Sequence, residues 1–131
     1  MKGKAYANRK SVDKRPENDL YETPKCLIWE LLNSASELNL KIQNKDVKIL
    51  DCCCGKNAIV NEMQEQGYKN ITGTDLIYGD DFLSEDYPEE KYDVIIMNPP
   101  FKDFNKFVEK AKILAEEVIC IGKMNYFGSH S

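Results

Sequence analysis

Alternating strand and helix signals predict an α/β fold, a mostly parallel sheet with helices on both faces. Three observations carry this expectation. Short runs rich in β-branched residues recur along the chain, and amphipathic helical stretches separate several of them. The run Tyr92 to Met97 is almost continuously apolar toward its end, as expected of a strand covered on both faces. Polar or glycine-bearing turns follow the strand runs, where crossover units place their carboxyl ends.

In chain order, residues 1–19 are polar, lack periodicity and contain Pro16, so they read as a flexible arm. Residues 20–131 form the expected single domain. Thr23 is placed as a helix N-cap with Pro24 at the first helical position. Leu27, Ile28, Leu31 and Leu32 follow at helical spacing. A polar turn at Asn44 to Asp46 leads into a strand over Val47 to Cys52. Cys54 to Asn57 is a turn, and a short helix from Ala58 ends at Gly67. A second strand is expected over Ile71 to Asp75. Gly79 to Leu83 reads as a turn into a brief strand or loop. After the strand Tyr92 to Met97, Asn98 to Phe101 breaks the pattern. Phe104, Phe107, Val108, Ala111 and Leu114 mark one helix face, and Val118 to Ile121 is a last strand.

The 131 residues suit one domain, with 42% apolar and 31% charged residues, an ordinary soluble composition. No apolar run is long enough to cross a bilayer, and none follows the basic N-terminus as a secretory signal would require. A cytoplasmic protein without membrane contact is expected. Cys26, Cys52, Cys53, Cys54 and Cys120 match neither a disulfide framework nor zinc-ligand spacing. They read as reduced, mostly buried small side chains, and no metal is expected. Net charge is −4, which excludes a generic nucleic-acid sponge. The charge is uneven. Residues 1–15 carry six Lys or Arg against Asp13, whereas residues 80–93 carry seven acids against Lys91. The basic arm reads equally as a phosphate-steering segment or a solvated terminus.

Four features carry chemistry. Gly55 permits close approach to a ligand in the turn after Asp51, and Asn57 tolerates positive φ. Asp75, 24 residues after Asp51, is placed to accept hydrogen bonds from ribose hydroxyls. Asp81 beside Phe82 offers a carboxylate and an aromatic face for an adenine. Together they point to a nucleotide-like ligand. A Gly-x-Gly-x-x-Gly pattern and a P-loop are both absent.

The fourth feature, Asn98-Pro99-Pro100-Phe101, is the most specific. Two prolines fix two φ angles and remove two amide donors. The Asn98 side-chain oxygen and the Pro99 carbonyl form a pair of acceptors, and Phe101 adds a flat apolar face. Such a pair can bind both N–H bonds of a planar amino group and localise its lone pair.

These residues, in this order, resemble the S-adenosylmethionine-dependent N6-adenine DNA methyltransferases, particularly small phage and bacterial members with an Asn-Pro-Pro-Phe loop. The resemblance runs from about Tyr21 to Ser129. It implies a Rossmann-like class I methyltransferase sheet and S-adenosylmethionine as cofactor. Tyr21, Thr23 and Pro24 would touch its methionine end. Asp51, Cys52, Gly55 and Asn57 would form the cofactor loop, Asp75 the ribose acid, and Leu76 or Ile77 an adenine contact. Asp81 and Phe82 would read the adenine edge. Asn98, Pro99 and Phe101 would be catalytic, and Asn98, Pro100 and Phe101 would hold the substrate base. Asp51-Cys52 stands where Asp-Pro is usual, and Asn57 where a glycine is usual. The segment Ile121 to Phe127 resembles the strand after the catalytic helix. The family's sheet continues for two more strands, including an antiparallel hairpin. The chain is therefore expected to be a fragment, or to have its sheet completed by a partner or a second copy. DNA is the expected partner. RNA adenine and protein glutamine amides remain alternative substrates, and a binding module without turnover is an alternative of another class.

Overall fold

The computed structural model describes residues 25–121 and the backbone of 126–129. The arm 1–19 and the expected contacts of Tyr21, Thr23 and Pro24 lie outside the described residues. Helix α1 (Lys25–Ala35) is followed by a 3-10 turn at Lys41–Gln43, then β1 (Ile49–Asp51), α2 (Ala58–Glu65) and β2 (Ile71–Gly73). A second 3-10 turn, Leu76–Tyr78, and a loop lead to β3 (Tyr92–Met97). A third, Phe101–Asp103, opens α3 (Phe104–Leu114), which precedes β4 (Ala115–Ile121) and β5 (Tyr126–Ser129). The sheet order is β2-β1-β3-β4-β5. The first four strands are parallel and β5 is antiparallel to β4. No strand forms at Gly79 to Leu83, where side-chain and backbone turns take the hydrogen bonds instead.

Strand alternation sorts the core into two layers. Ile49, Val94, Ile96, Ile119 and Ile121 face Ile28, Leu31 and Ala35 of α1 and Ile59 and Met63 of α2. Leu50, Ile95, Met97, Val118 and Cys120 face Phe107, Ala111 and Leu114 of α3. Helices therefore cover both faces, as the composition of β3 requires. Among the described residues, no helix is long and apolar enough to cross a membrane.

Buried carboxylates tie the layers together. Glu62 of α2 accepts the Trp29 indole N–H at 2.7 Å and the Gln66 amide at 3.1 Å, fixing α1 on α2. Glu117 of β4 is 6% exposed and accepts the backbone N–H groups of Lys41 and Ile42 at 2.7 and 3.1 Å. These are first-turn donors that the 3-10 segment cannot satisfy itself. Glu117→Ala is expected to lower stability by roughly 1–3 kcal/mol, because a buried donor loses its partner. Glu117→Gln keeps one acceptor and should lose less. Urea midpoints of the two variants check the order.

Candidate functional site

All parallel strands end at the same edge of the sheet. The strand order reverses between β1 and β3, so the crevice expected of open α/β sheets lies between their carboxyl ends. The register pairs Leu50 with Ile95. Asn98 follows directly on β3, at the same edge as the turn after β1. The contact from Cys52 Sγ to Met97 Sδ, at 3.4 Å, agrees with that register.

The turn after β1 is held by the end of β2. Thr74 N donates to Asp51 O, and Cys54 N donates to Thr74 O, both at 2.9 Å. Gly55 has φ 53° and Asn57 has φ 71°, the left-handed conformation that Asn57 was expected to tolerate. Gly73 makes this packing possible. A Cβ there would meet Asn57 Oδ1 at 2.9 Å and Cys54 Cβ at 3.0 Å. The Asn57 side chain thus lies over β2, while the space beside the Gly55 Cα is open.

Asp75 is 5% exposed and binds two backbone donors. Its Oδ2 accepts Gly55 N–H at 2.7 Å and its Oδ1 accepts Ile77 N–H at 2.9 Å. Tyr78 hydroxyl donates to Gly55 O at 3.0 Å. Asp75 is therefore both the cap of the Leu76–Tyr78 turn and the clamp of the Gly55 loop. A carboxylate has about four lone-pair sites, so acceptor capacity remains. Tyr78 is absent from the expected site, and its signal was its position three residues after Asp75. Leu76, Ile77 and Tyr78 are all exposed.

Asp51 is fully buried. Its Oδ1 accepts Cys53 N–H at 3.3 Å, and its Oδ2 has no partner among the described residues. Burial, with the Asp75 charge adding a smaller part, pushes its carboxyl up to about 8 despite the Cys53 N–H bond. The Cys52 thiol is buried against Met97. Burial also raises the Cys54 and Cys120 thiols to about 12, which keeps them protonated at neutral pH.

The expected adenine-holding role of the Phe82 ring is corrected. Phe82 is 1% exposed. It stacks on Phe107 at 5.3 Å and meets Tyr87 edge-on at 5.0 Å. The Lys110 ammonium lies 5.3 Å from its centroid. Its faces are used in fastening the 80–87 loop to α3. Asp81 is exposed, with Oδ1 accepting Leu83 N–H at 3.1 Å.

Asn98, at the end of β3, is half-buried and engaged with its surroundings, while Pro99 is buried and Pro100 half-buried. The Pro100 carbonyl accepts Asp103 N–H at 3.2 Å. No backbone N–H of the described residues takes the Pro99 carbonyl. Phe101 is 80% exposed, which excludes a core role for its ring. The structure thus gathers Asp51, Gly55, Asp75 and the Asn98–Phe101 loop at one edge, and removes the Phe82 ring from it.

No family model matches the chain, and no curated protein matches it. It is similar in structure to a Pyrococcus horikoshii protein proposed to be an RNA methyltransferase. The TM-score is 0.52 and the identity 20%, over 80% of this chain and 63% of that one. A Thermoplasma acidophilum structure aligns with TM-score 0.44 and 20% identity, over 72% of this chain and 56% of that one. The chain thus spans less than two thirds of either. The P. horikoshii likeness supports the Rossmann-like sheet.

Proposed function

We propose that this chain transfers a methyl group from S-adenosylmethionine to the N6 amine of adenine in DNA. The observation that carries the reading is the position of Asn98-Pro99-Pro100-Phe101. The loop leaves β3 at the topological switch point, at the same edge of the sheet as the turn after β1, with the Phe101 ring exposed.

The residues fit the cofactor. The unpartnered Asp51 Oδ2 suits a cationic ligand, and the open side of Gly55 gives it room. Asp75 holds spare acceptor capacity for ribose hydroxyls, and exposed Leu76 and Ile77 offer an apolar face to an adenine. Asp81 is free to accept from the amino edge of that adenine. Tyr21, Thr23 and Pro24 complete the proposed methionine end, with the backbone at Cys52 and Asn57 lining the loop. When bound, S-adenosylmethionine supplies an electrophilic methyl group.

The chain's own residues position the amine. The Asn98 side-chain oxygen and the Pro99 carbonyl each accept one N–H bond, which localises the nitrogen lone pair. Pro100 keeps the loop stiff. Phe101 stacks on the base. Extruding a base costs a few kcal/mol, and one aromatic stack recovers roughly 1–3 kcal/mol. Orientation of amine and methyl then supplies much of the acceleration.

Calorimetric titration with S-adenosylmethionine is expected to give an affinity on the order of micromolar. Labelled methyl should then enter adenine of single-stranded or duplex DNA. RNA and protein are parallel arms. Label in RNA or protein alone would replace the DNA reading. Binding without transfer to any of them would leave only a binding module. Asp75→Ala should weaken cofactor binding by about tenfold or more, because it frees the Gly55 loop and removes the ribose acceptor, each hydrogen bond to a charged group contributing about 1.5–3 kcal/mol. An unchanged affinity would show that Asp75 is only a cap.

A further inference from the structure

The Asn98–Phe101 loop runs through the Phe101–Asp103 turn into α3, and this segment carries two unengaged cations. Lys102, in the Phe101–Asp103 turn, and Lys106, in the first turn of α3, are both exposed. Both side chains lie on the solvent side of this segment. Phe107, Ala111 and Leu114 hold the opposite side of α3 in the core. Among the described residues, neither ammonium makes an ion pair or hydrogen bond. In contrast, Lys41 pairs with Glu116, Lys48 with Glu90, and Lys110 donates to Ser84 O. Phe101, 80% exposed, immediately precedes Lys102.

Extending the function proposed above, we infer that Lys102 and Lys106 hold two phosphates of one polynucleotide strand while Phe101 stacks on the base taken from it. Rises of ~1.5–2 Å per residue separate the two backbone positions by ~6–8 Å, about two phosphate steps of ~3.4 Å along one strand. Side chains as long as lysine accommodate the remainder. The contact also answers an electrostatic difficulty. The chain carries net charge −4, and residues 80–93 hold seven acids against one lysine. A polyanion therefore approaches only where the local field is positive. The segment 102–112 has four lysines against Asp103 and Glu109. Asp103 is half-buried at the helix start, and Glu109 lies three residues from Lys106 without pairing to it. The positive lip thus adjoins the aromatic that would receive the base. A glutamine side chain in a folded protein would have no use for such a pair.

The test compares the full chain with a Lys102→Gln/Lys106→Gln double variant and with Lys112→Gln, which lies on another part of the α3 surface. Fluorescently labelled, adenine-containing single-stranded DNA, and RNA of the same sequence, are titrated by anisotropy across a salt series. Losing two phosphate contacts should flatten the slope of log affinity against log salt by about 1.4 on single strands. Low-salt affinity should fall on the order of tenfold. Lys112→Gln should leave both unchanged. An unchanged slope in the double variant overturns the inference, even if methyl still reaches adenine. So does an equal loss in Lys112→Gln. A slope loss on both nucleic acids supports the strand contact, even in a chain that fails to bind S-adenosylmethionine; that failure would sink only the proposed methyl transfer.

Discussion

In an Asn98→Ala variant, methyl transfer is expected to fall on the order of 10²–10⁴-fold while affinity for S-adenosylmethionine stays nearly unchanged. The separation follows from where the proposed groups sit. The proposed cofactor contacts come from the ends of β1 and β2, where Asp75 clamps Gly55 at 2.7 Å. Asn98 belongs to the end of β3, on the other side of the switch point. Removing its oxygen leaves one N–H of the amine without an acceptor and the lone pair delocalised. The Pro99 carbonyl cannot replace it, because the stiff loop fixes each acceptor to its own direction. Asn98→Asp retains an acceptor and should keep more activity than Asn98→Ala. Asn98 is engaged with neighbours, so fold integrity is checked by the thermal midpoint of each variant. Single-turnover transfer and calorimetry together decide the matter. An equal loss of binding and transfer would make the loop a structural strand end.

The parts of this architecture legible in the sequence are those with local causes. The bounds of β3 and α3 agree with the apolar run Tyr92 to Met97 and the helical spacing Phe104 to Leu114. Gly55 and Asn57 adopt positive φ because residue type alone favours it there. Failures arise where distant residues decide. β1 is shorter than its β-branched run because Lys48 N–H turns to the Asp93 carboxylate at 2.8 Å. β4 is longer because Glu117 is buried as a cap for a segment 75 residues away, so its charge disguised a strand. Phe82 was expected at a ligand and instead fills the core, since Phe107 and Tyr87 reach it only after α3 docks. The candidate site was legible as an ordered set of residues. Its wiring was not, because the Asp75–Gly55 and Tyr78–Gly55 bonds depend on how the two turns meet.

Asp51 should dominate the pH dependence of stability, and its sign is opposite to that of an ordinary carboxylate. Its carboxyl is raised from 3.8 to about 8, first by burial and then by the Asp75 charge. Between those values the folded protein holds a proton that the unfolded chain has released. Stability therefore falls as pH rises from about 4 to about 8 and is level above that. Glu62 acts oppositely. The Trp29 and Gln66 hydrogen bonds hold it below its usual value of 4.5, so its contribution is complete above that pH and lost in more acidic solution. The two trends place maximum stability near the lower end of the Asp51 window. Asp51→Asn should remove the decline toward pH 8 while keeping an acceptor for the Cys53 N–H. Thermal midpoints across the range test this, and a decline that persists in Asp51→Asn would assign it to other groups. The same proton links stability to the proposed cofactor. A cation bound beside the unpartnered Oδ2 favours the carboxylate. Binding of S-adenosylmethionine near pH 7 should therefore release protons, read as a dependence of the calorimetric heat on buffer ionisation enthalpy. Asp51→Asn should abolish that dependence. Proton release of the same size in both proteins would place the ligand's positive charge away from Asp51.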